Sequence, residues 1–331
     1  MKAVVVKAYG LEHTHLAEVA APGMDAQSVR VRVRSAGVSF ANLLAIEGKH
    51  QNRADPPFTP GTEVAGVLLE CGANVSLFKP GDRVVAGVRR GGFSEEVVAP
   101  ECNVFALPED VSFDAAVHFP TIYATAYAAL KWRAGLAPGE TLLVHGAAGG
   151  SGLAAIELGK VLGARVIASA SSAEKLRVAT EHGADVCINY SENGFRDAVL
   201  AATGGRGADV IFDPVGGKTF DESIRCTAPD GRIIPMGFAS GTIPSVPANI
   251  LLVKNITVIG LYWGYYMGWG RQAPPAAMQA RVRGAFKEML DWTSSGMLRP
   301  RTQSAYALAD FRQALQALSG RSVIGRSVLN P

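Results

Sequence analysis

Residues Thr141 to Gly163, TLLVHGAAGGSGLAAIELGKVLG, run from an unbroken apolar stretch through a glycine-rich turn into a helical pattern. Leu142, Leu143 and Val144 show no polar alternation, which is the pattern of a strand covered on both faces of a parallel sheet. Gly146, Gly149, Gly150 and Gly152 make the turn, and Leu153, Ile156 and Val161 then return at helical spacing, with small Ala154 and Ala155 between them. A strand that turns through glycines into a helix gathers free N–H groups and the positive end of the helix dipole at one point, which suits phosphate. A second apolar strand, Ala164 to Ser169, completes a βαβ unit and predicts a bound dinucleotide. The first position of the glycine fingerprint is Ala147, followed by Gly149 and Gly152, so the free turning that the motif needs falls to the flanking Gly146 and Gly150.

The rest of the chain sets the scale of the fold. With 331 residues it exceeds one ordinary core and fits two domains. Hydrophobic residues make up 48% and glycine supplies 37 positions, a composition of tightly turned α/β enzymes rather than disordered or fibrous chains. A net charge of +3, with its basic residues scattered over the length, is too small to imply nucleic-acid binding as the main role. The start, MKAVVVKAYG, lacks the long apolar core of a signal peptide and no apolar run is long enough for a bilayer, so a soluble, cytoplasmic protein is expected. Cys71, Cys102, Cys187 and Cys226 are too far apart for a zinc knuckle or a CxxC pair, and small buried or half-buried thiols are expected.

In chain order, the first third reads as strands and turns. VRVRVRSAGVS, from Val29 to Ser39, alternates valine and arginine, as a half-exposed strand does, with Arg30, Arg32 and Arg34 on the solvated face. A short helix follows over FANLLAIEG, and further strands are expected in KPGDRVVAG and GGFSEEVVAP. In the second half strand signals recur at Arg165–Ser169, Val186–Tyr190, Asp209–Asp213, Arg232–Met236 and Thr257–Tyr262, making six strands with the first, the count of a doubly wound sheet. Helices are expected near Met278–Ser294 and Leu308–Leu318, and a closing strand in VIGRSVLN.

The blocks AGVSF, FTPGTEVAGVLLECG, FKPGDRVVAG, GGFSEEVVAP, VHGAAGGSGLAAIELGKVLGARVIASASSAEK, GADVCINY and IFDPVGG resemble the zinc-independent NADPH:quinone oxidoreductases of the medium-chain dehydrogenase/reductase superfamily, the zeta-crystallin-like group. The resemblance implies an α/β protein with a GroES-like β-rich catalytic domain over residues 1–121, a doubly wound Rossmann domain over 122–262, and a segment 263–331 that returns to the catalytic domain. It also implies a homodimer, and cofactor contacts from Phe40, Thr125, Gly149, Gly150, Ser151, Gly152, Gly237, Phe238, Ser240, Tyr262 and Trp263.

Cofactor choice follows from the end of the second Rossmann strand. NAD-specific folds place a carboxylate there for the ribose hydroxyls, whereas this chain has Ala170, Ser171 and Ser172, then Lys175. Hydroxyls and a lysine can receive a 2′-phosphate, and the resemblance puts Tyr190 and Arg321 beside it. NADPH is therefore the expected cofactor. No metal is expected: the resemblance sets Ser39 and Thr62 where zinc-dependent relatives carry a cysteine and a histidine, and neither hydroxyl is a soft or imidazole ligand.

Without a metal, hydride can still pass to an electron-poor acceptor such as a quinone or an α,β-unsaturated carbonyl, if donors meet the oxygen where negative charge develops. Asn42 and His50 are the candidate catalytic donors, His50 being alternatively a surface loop residue. Leu44 and His50 replace tyrosines usual in the family, and Ser39 an asparagine. The aromatic stretch Tyr262, Trp263, Tyr265, Tyr266 and Trp269 fits a flat substrate slot or equally a core or subunit interface. Two alternatives stay open. One is an enoyl-thioester reductase, with Arg271 and Arg281 contacting a carrier arm. The other is a non-catalytic crystallin-like or RNA-binding role.

Overall fold

The computed structural model describes residues 1–50, 52–270, 274–320 and 323–331, without the side chains of Glu192 and Asn193. By its internal contacts the chain separates into two compact units, Met1–Thr121 with Gly264–Gly296 and Pro300–Pro331, and Ile122–Trp263 with Met297–Arg299.

The first unit is built on strands β1 (Lys2–Val6), β2 (Thr14–Glu18), β3 (Ser28–Val38), β4 (Glu63–Cys71), β5 (Arg83–Gly87), β6 (Glu96–Pro100) and β7 (Val104–Ala106). β1 and β2 form a separate antiparallel ribbon. The long strand β3 is the spine of the larger sheet, pairing with β4 on one side and with β6 along its first half. Its valines Val29, Val31 and Val33 are buried while Arg32 and Arg34 face solvent, the alternation of a strand with one covered face. Arg30 is half-buried and paired with Glu70 and Glu96.

The second unit holds β8 (Thr141–Val144), β9 (Arg165–Ala170), β10 (Val186–Asn189), β11 (Ala208–Asp213), β12 (Thr227–Pro235) and β13 (Thr257–Val258). Among the described residues they form one parallel sheet in the order β10-β9-β8-β11-β12-β13, so the direction of winding reverses between β8 and β11. Ligands of such sheets bind beyond the carboxyl ends of the strands at that reversal. The edge strand covers only Thr257 and Val258 rather than reaching Tyr262, because beyond Ile259, whose N–H meets Ile233, the ladder is not continued among the described residues. β12 is longer than its sequence signal, starting at Thr227 and passing Asp230 at positive φ. Strands β14 (Thr302–Ala307) and β15 (Arg326–Asn330) complete the sheet of the first unit, β15 pairing antiparallel with the end of β3. No described helix is long and apolar enough to cross a membrane.

Candidate functional site

In the second unit β8 ends at Val144, Gly146 turns at φ 58°, and a helix runs from Gly150 to Val161. Gly152 lies so close to the turn that an added Cβ would stand 2.3 Å from the Gly146 carbonyl oxygen, which explains why only glycine closes this corner. The helix receives no side-chain cap from Gly149, so the N–H groups of Gly150, Ser151 and Gly152 are left for a ligand. A small cradle of uncapped N–H groups, with room for nothing larger than hydrogen at Gly152, fits a pyrophosphate.

The ribose end is equally open to an anion. β9 finishes at Ala170, and the Lys175 ammonium reaches the Ser171 hydroxyl at 3.4 Å. Lys175 has no carboxylate partner among the described residues. The Ser191 hydroxyl donates to the Ser171 carbonyl at 3.1 Å, which brings the exposed Tyr190, at the start of the helix Tyr190–Asn193, to the same corner. Ser171, Lys175 and Tyr190 are thus gathered at the carboxyl ends of β9 and β10, while Arg321 lies outside the described residues.

Gly237, Phe238 and Ser240 occupy the loop after β12, which is stitched to the turn after β11. The N–H groups of Ala239 and Ser240 donate to Pro214 and Val215 at 3.1 and 3.0 Å. Thr125 is half-buried in the short helix Ala124–Tyr127. Tyr262 is exposed, whereas the Trp263 ring is buried, 6.2 Å from Trp132 centroid to centroid.

In the first unit Phe40 and Asn42 lie on the helix Phe40–Ile46, Phe40 exposed and Asn42 buried. Ser39 and Asn42 form a reciprocal capping box: the Asn42 carboxamide oxygen accepts from the Ser39 N–H and hydroxyl, both at 2.8 Å, and Ser39 Oγ accepts from the Asn42 N–H. With its oxygen committed to the cap, Asn42 can serve a substrate only through its amide N–H groups. His50 is half-buried, and its Nδ1 accepts from the Asn52 N–H at 3.1 Å, which leaves the proton on Nε2 as a donor. The aromatic stretch is divided. Tyr265 is exposed and packs edge-on to Tyr266, while Trp269 and Met267, with Pro100 and Pro274, wall a cavity of about 270 Å³ that also meets Arg89 and Asn103. Arg271 lies outside the described residues.

Four buried groups near these positions are given no role by the sequence reading, although His145, Glu157 and Asp213 lie within the blocks that carry the resemblance. Arg326 on β15 is buried against Glu63, donating through Nη1 to Oε2 at 2.7 Å and through Nη2 to Oε1, and through Nε to the Val38 carbonyl. Gly37 makes room for it, since a Cβ there would fall 2.5 Å from Arg326 Nη2. The pair fixes the chain beside both Ser39 and Thr62. His145 bridges Ser169 Oγ at 2.7 Å and Ser223 Oγ at 2.8 Å. Because the Ser223 hydroxyl donates to the Thr219 carbonyl, it must accept from Nε2–H, and Nδ1 accepts from Ser169. Burial lowers the imidazole to about 3, in keeping with this neutral tautomer. Glu157 accepts from the Tyr123 hydroxyl at 2.7 Å and the Arg299 N–H at 2.9 Å and meets His182 at 2.5 Å, which is why Met297–Arg299 joins the second unit. Asp213, at the end of β11, is the fourth.

Among the described residues no cluster of three histidine, cysteine or carboxylate side chains is placed to hold a metal ion, and all four cysteines are free thiols.

Comparison with known proteins agrees on the family. Residues 25–109 match the alcohol dehydrogenase GroES-like domain and residues 150–282 the zinc-binding dehydrogenase domain. A quinone oxidoreductase-like protein 2 homolog of Nematostella vectensis is 41% identical over 306 residues, 91% of this chain and 81% of the relative. The quinone oxidoreductase-like protein 2 of Bos taurus is 40% identical, over 95% of this chain and 88% of its own. Among solved structures, Escherichia coli quinone oxidoreductase complexed with NADPH superposes with a TM-score of 0.90 at 27% identity, covering all of both chains. A quinone oxidoreductase of Pseudomonas syringae does so with a TM-score of 0.90 at 31% identity, over 100% of this chain and 99% of that one.

Proposed function

Since the chain belongs to the quinone oxidoreductase family of the medium-chain dehydrogenase/reductase superfamily, and so is an oxidoreductase that works with a nicotinamide cofactor, we propose that it reduces quinones or related α,β-unsaturated carbonyls with NADPH and without a metal. The observation that carries the cofactor choice is the Lys175 ammonium resting on Ser171 with no carboxylate at the end of β9. A carboxylate there would repel a 2′-phosphate, whereas lysine and serine donate to it. When bound, the dinucleotide supplies the hydride.

The chain supplies orientation and charge. The N–H groups of Gly150, Ser151 and Gly152 would hold the pyrophosphate, and loop 237–240 and Thr125 would contact the rest of the dinucleotide. On the acceptor, the Asn42 amide and His50 Nε2–H would donate hydrogen bonds to the oxygen that gains negative charge on reduction, and the proton that neutralises it would come from solvent. Donors fixed in advance by the capping box and by the Asn52 N–H lose little order on reaction.

A screen of NADPH oxidation against quinones, enones and enoyl thioesters tests the acceptor class, with turnover expected for the first two. Turnover with thioesters alone would move the reading to a thioester reductase, and RNA binding without any turnover would move it out of enzymes altogether. For the cofactor, Lys175→Ala removes a charge-assisted bond worth roughly 1.5–3 kcal/mol, so NADPH should weaken on the order of tenfold or more while NADH barely changes. Equal losses for both cofactors would refute the assignment. We also propose a homodimer through the β13 side of the second unit, where Ile243, Leu252 and Val253 are 73, 77 and 74% exposed, an apolar display that single subunits seldom leave open. Leu252→Glu should then yield a monomer by light scattering, and a monomeric parent protein would sink the idea.

A further inference from the structure

Asp213 closes β11 directly across from the end of β8. Phe212 is in register with Val144, and a Cβ on Gly146 would meet the Pro214 ring at 3.3 Å. The residue is completely buried. Its Oδ1 accepts from the N–H groups of Val215 at 2.8 Å and Gly216 at 3.0 Å, and its carbonyl accepts from Met236 at 2.7 Å. The turn so fixed holds the next loop, because Pro214 and Val215 offer their carbonyls to Ala239 and Ser240. Gly237, Phe238 and Ser240 are therefore placed by Asp213 at one remove.

That duty needs one oxygen, and asparagine would perform it as well. The second oxygen, Oδ2, is buried with no hydrogen-bond partner in the chain. An unpaired buried acceptor is unfavourable, and burial pushes this carboxyl above the usual range. The residue ends β11, the strand that flanks β8 on the side away from β9, and ligands of a doubly wound sheet bind beyond the carboxyl ends of the strands at such a reversal.

We infer that Asp213 positions the cofactor loop through Oδ1 and presents Oδ2 as the acceptor for a hydroxyl or amide N–H on the nicotinamide half of the bound dinucleotide. The inference rests on the dinucleotide reading given above and adds to it a role for the aspartate of the IFDPVGG block.

Asp213→Asn keeps the shape and the Oδ1 acceptor but turns the second position into a donor. Thermal melting without cofactor, and titrations with NADPH and with 2′,5′-ADP, which is the adenosine half alone, decide the matter. Expected are an unchanged melting temperature, NADPH affinity reduced at least tenfold, and 2′,5′-ADP affinity unchanged. Parent affinity for NADPH would show that Oδ2 meets no donor there, and equal losses for both ligands would show a general disturbance. Loss of the fold would contradict the claim that one acceptor suffices for the turn. Each of these overturns the inference. Failure of the parent protein itself to bind either ligand would instead overturn the dinucleotide reading on which it rests.

Discussion

Gly152→Ala puts a single methyl group into the corner between β8 and its helix. The new Cβ would lie 2.3 Å from Gly146 O, 2.8 Å from Ala147 Cα and 2.9 Å from Ala147 C. Carbon and carbonyl oxygen rest at about 3.3–3.6 Å, so the turn and the helix must part by roughly 1 Å. All three obstacles are backbone, and no side chain can rotate away. Overpacking of this kind costs about 1–3 kcal/mol, which for a unit of this size lowers the melting temperature by roughly 2–4 °C per kcal/mol. The same displacement moves the N–H groups off the phosphate, and the loss of one charge-assisted bond weakens NADPH on the order of tenfold. Gly149→Ala is the control. Its nearest neighbour is Gly146 O at 3.4 Å, an ordinary contact, and φ is −77°. Alanine there is a slightly poorer N-cap but stiffens the unfolded chain, two opposing contributions each below about 1 kcal/mol. Differential scanning fluorimetry beside cofactor fluorescence measures both quantities. If the two variants matched in melting temperature and in NADPH affinity, the close approach at Gly152 would not be what shapes the cradle.

Acid should destabilise the second unit through His145. Its folded value of about 3 lies below the unfolded value near ~6.5, so the unfolded chain takes up the extra proton. Stability is then full above roughly pH 6.5 and falls between there and pH 3, at up to about 1.4 kcal/mol per pH unit. His145→Gln should be less stable at pH 7 but flatter over that window, and parallel curves for both proteins would contradict the neutral-bridge assignment. Turnover should survive dialysis against a strong chelator, because the resemblance implies that Ser39 and Thr62, which carry only hydroxyls, stand where zinc-dependent relatives have metal ligands. Activity lost on dialysis and restored by zinc would refute this.

What could be read from the sequence was whatever local backbone chemistry dictates. Gly146 and Gly152 announce the cradle because the turn cannot be made with larger residues, and β3 announces itself because valine and arginine alternate. β14 was missed although its residues alternate in burial, since TQSAYA is too polar and small for the alternation to show and its strand character comes from pairing with β15. Arg326 looked like an ordinary charge in a closing strand. Its meaning depends on Glu63, more than two hundred residues earlier, and on the missing side chain of Gly37. The roles of Asp213 and His145, though both lie in quoted blocks, were hidden for the same reason. A polar residue in an apolar run signals something buried, but its partners come from segments that only folding brings together. At the candidate site, glycine and serine positions could be proposed from the strand ends, whereas the commitment of the Asn42 oxygen to a helix cap appears only in three dimensions.

The central claim is that the turn after β8 holds the cofactor's phosphates, and Ser151→Asp tests it most directly. Ser151 lies in the first turn of the helix Gly150–Val161, where a carboxylate is favourable to the helix itself by about 0.3–1 kcal/mol. Fold and melting temperature should therefore be retained or slightly improved. The same carboxylate would stand against the pyrophosphate, so NADPH affinity should fall by at least tenfold, on the order of 1.4 kcal/mol. A folded Ser151→Asp protein that binds NADPH as tightly as its parent would place the phosphates elsewhere and contradict the account.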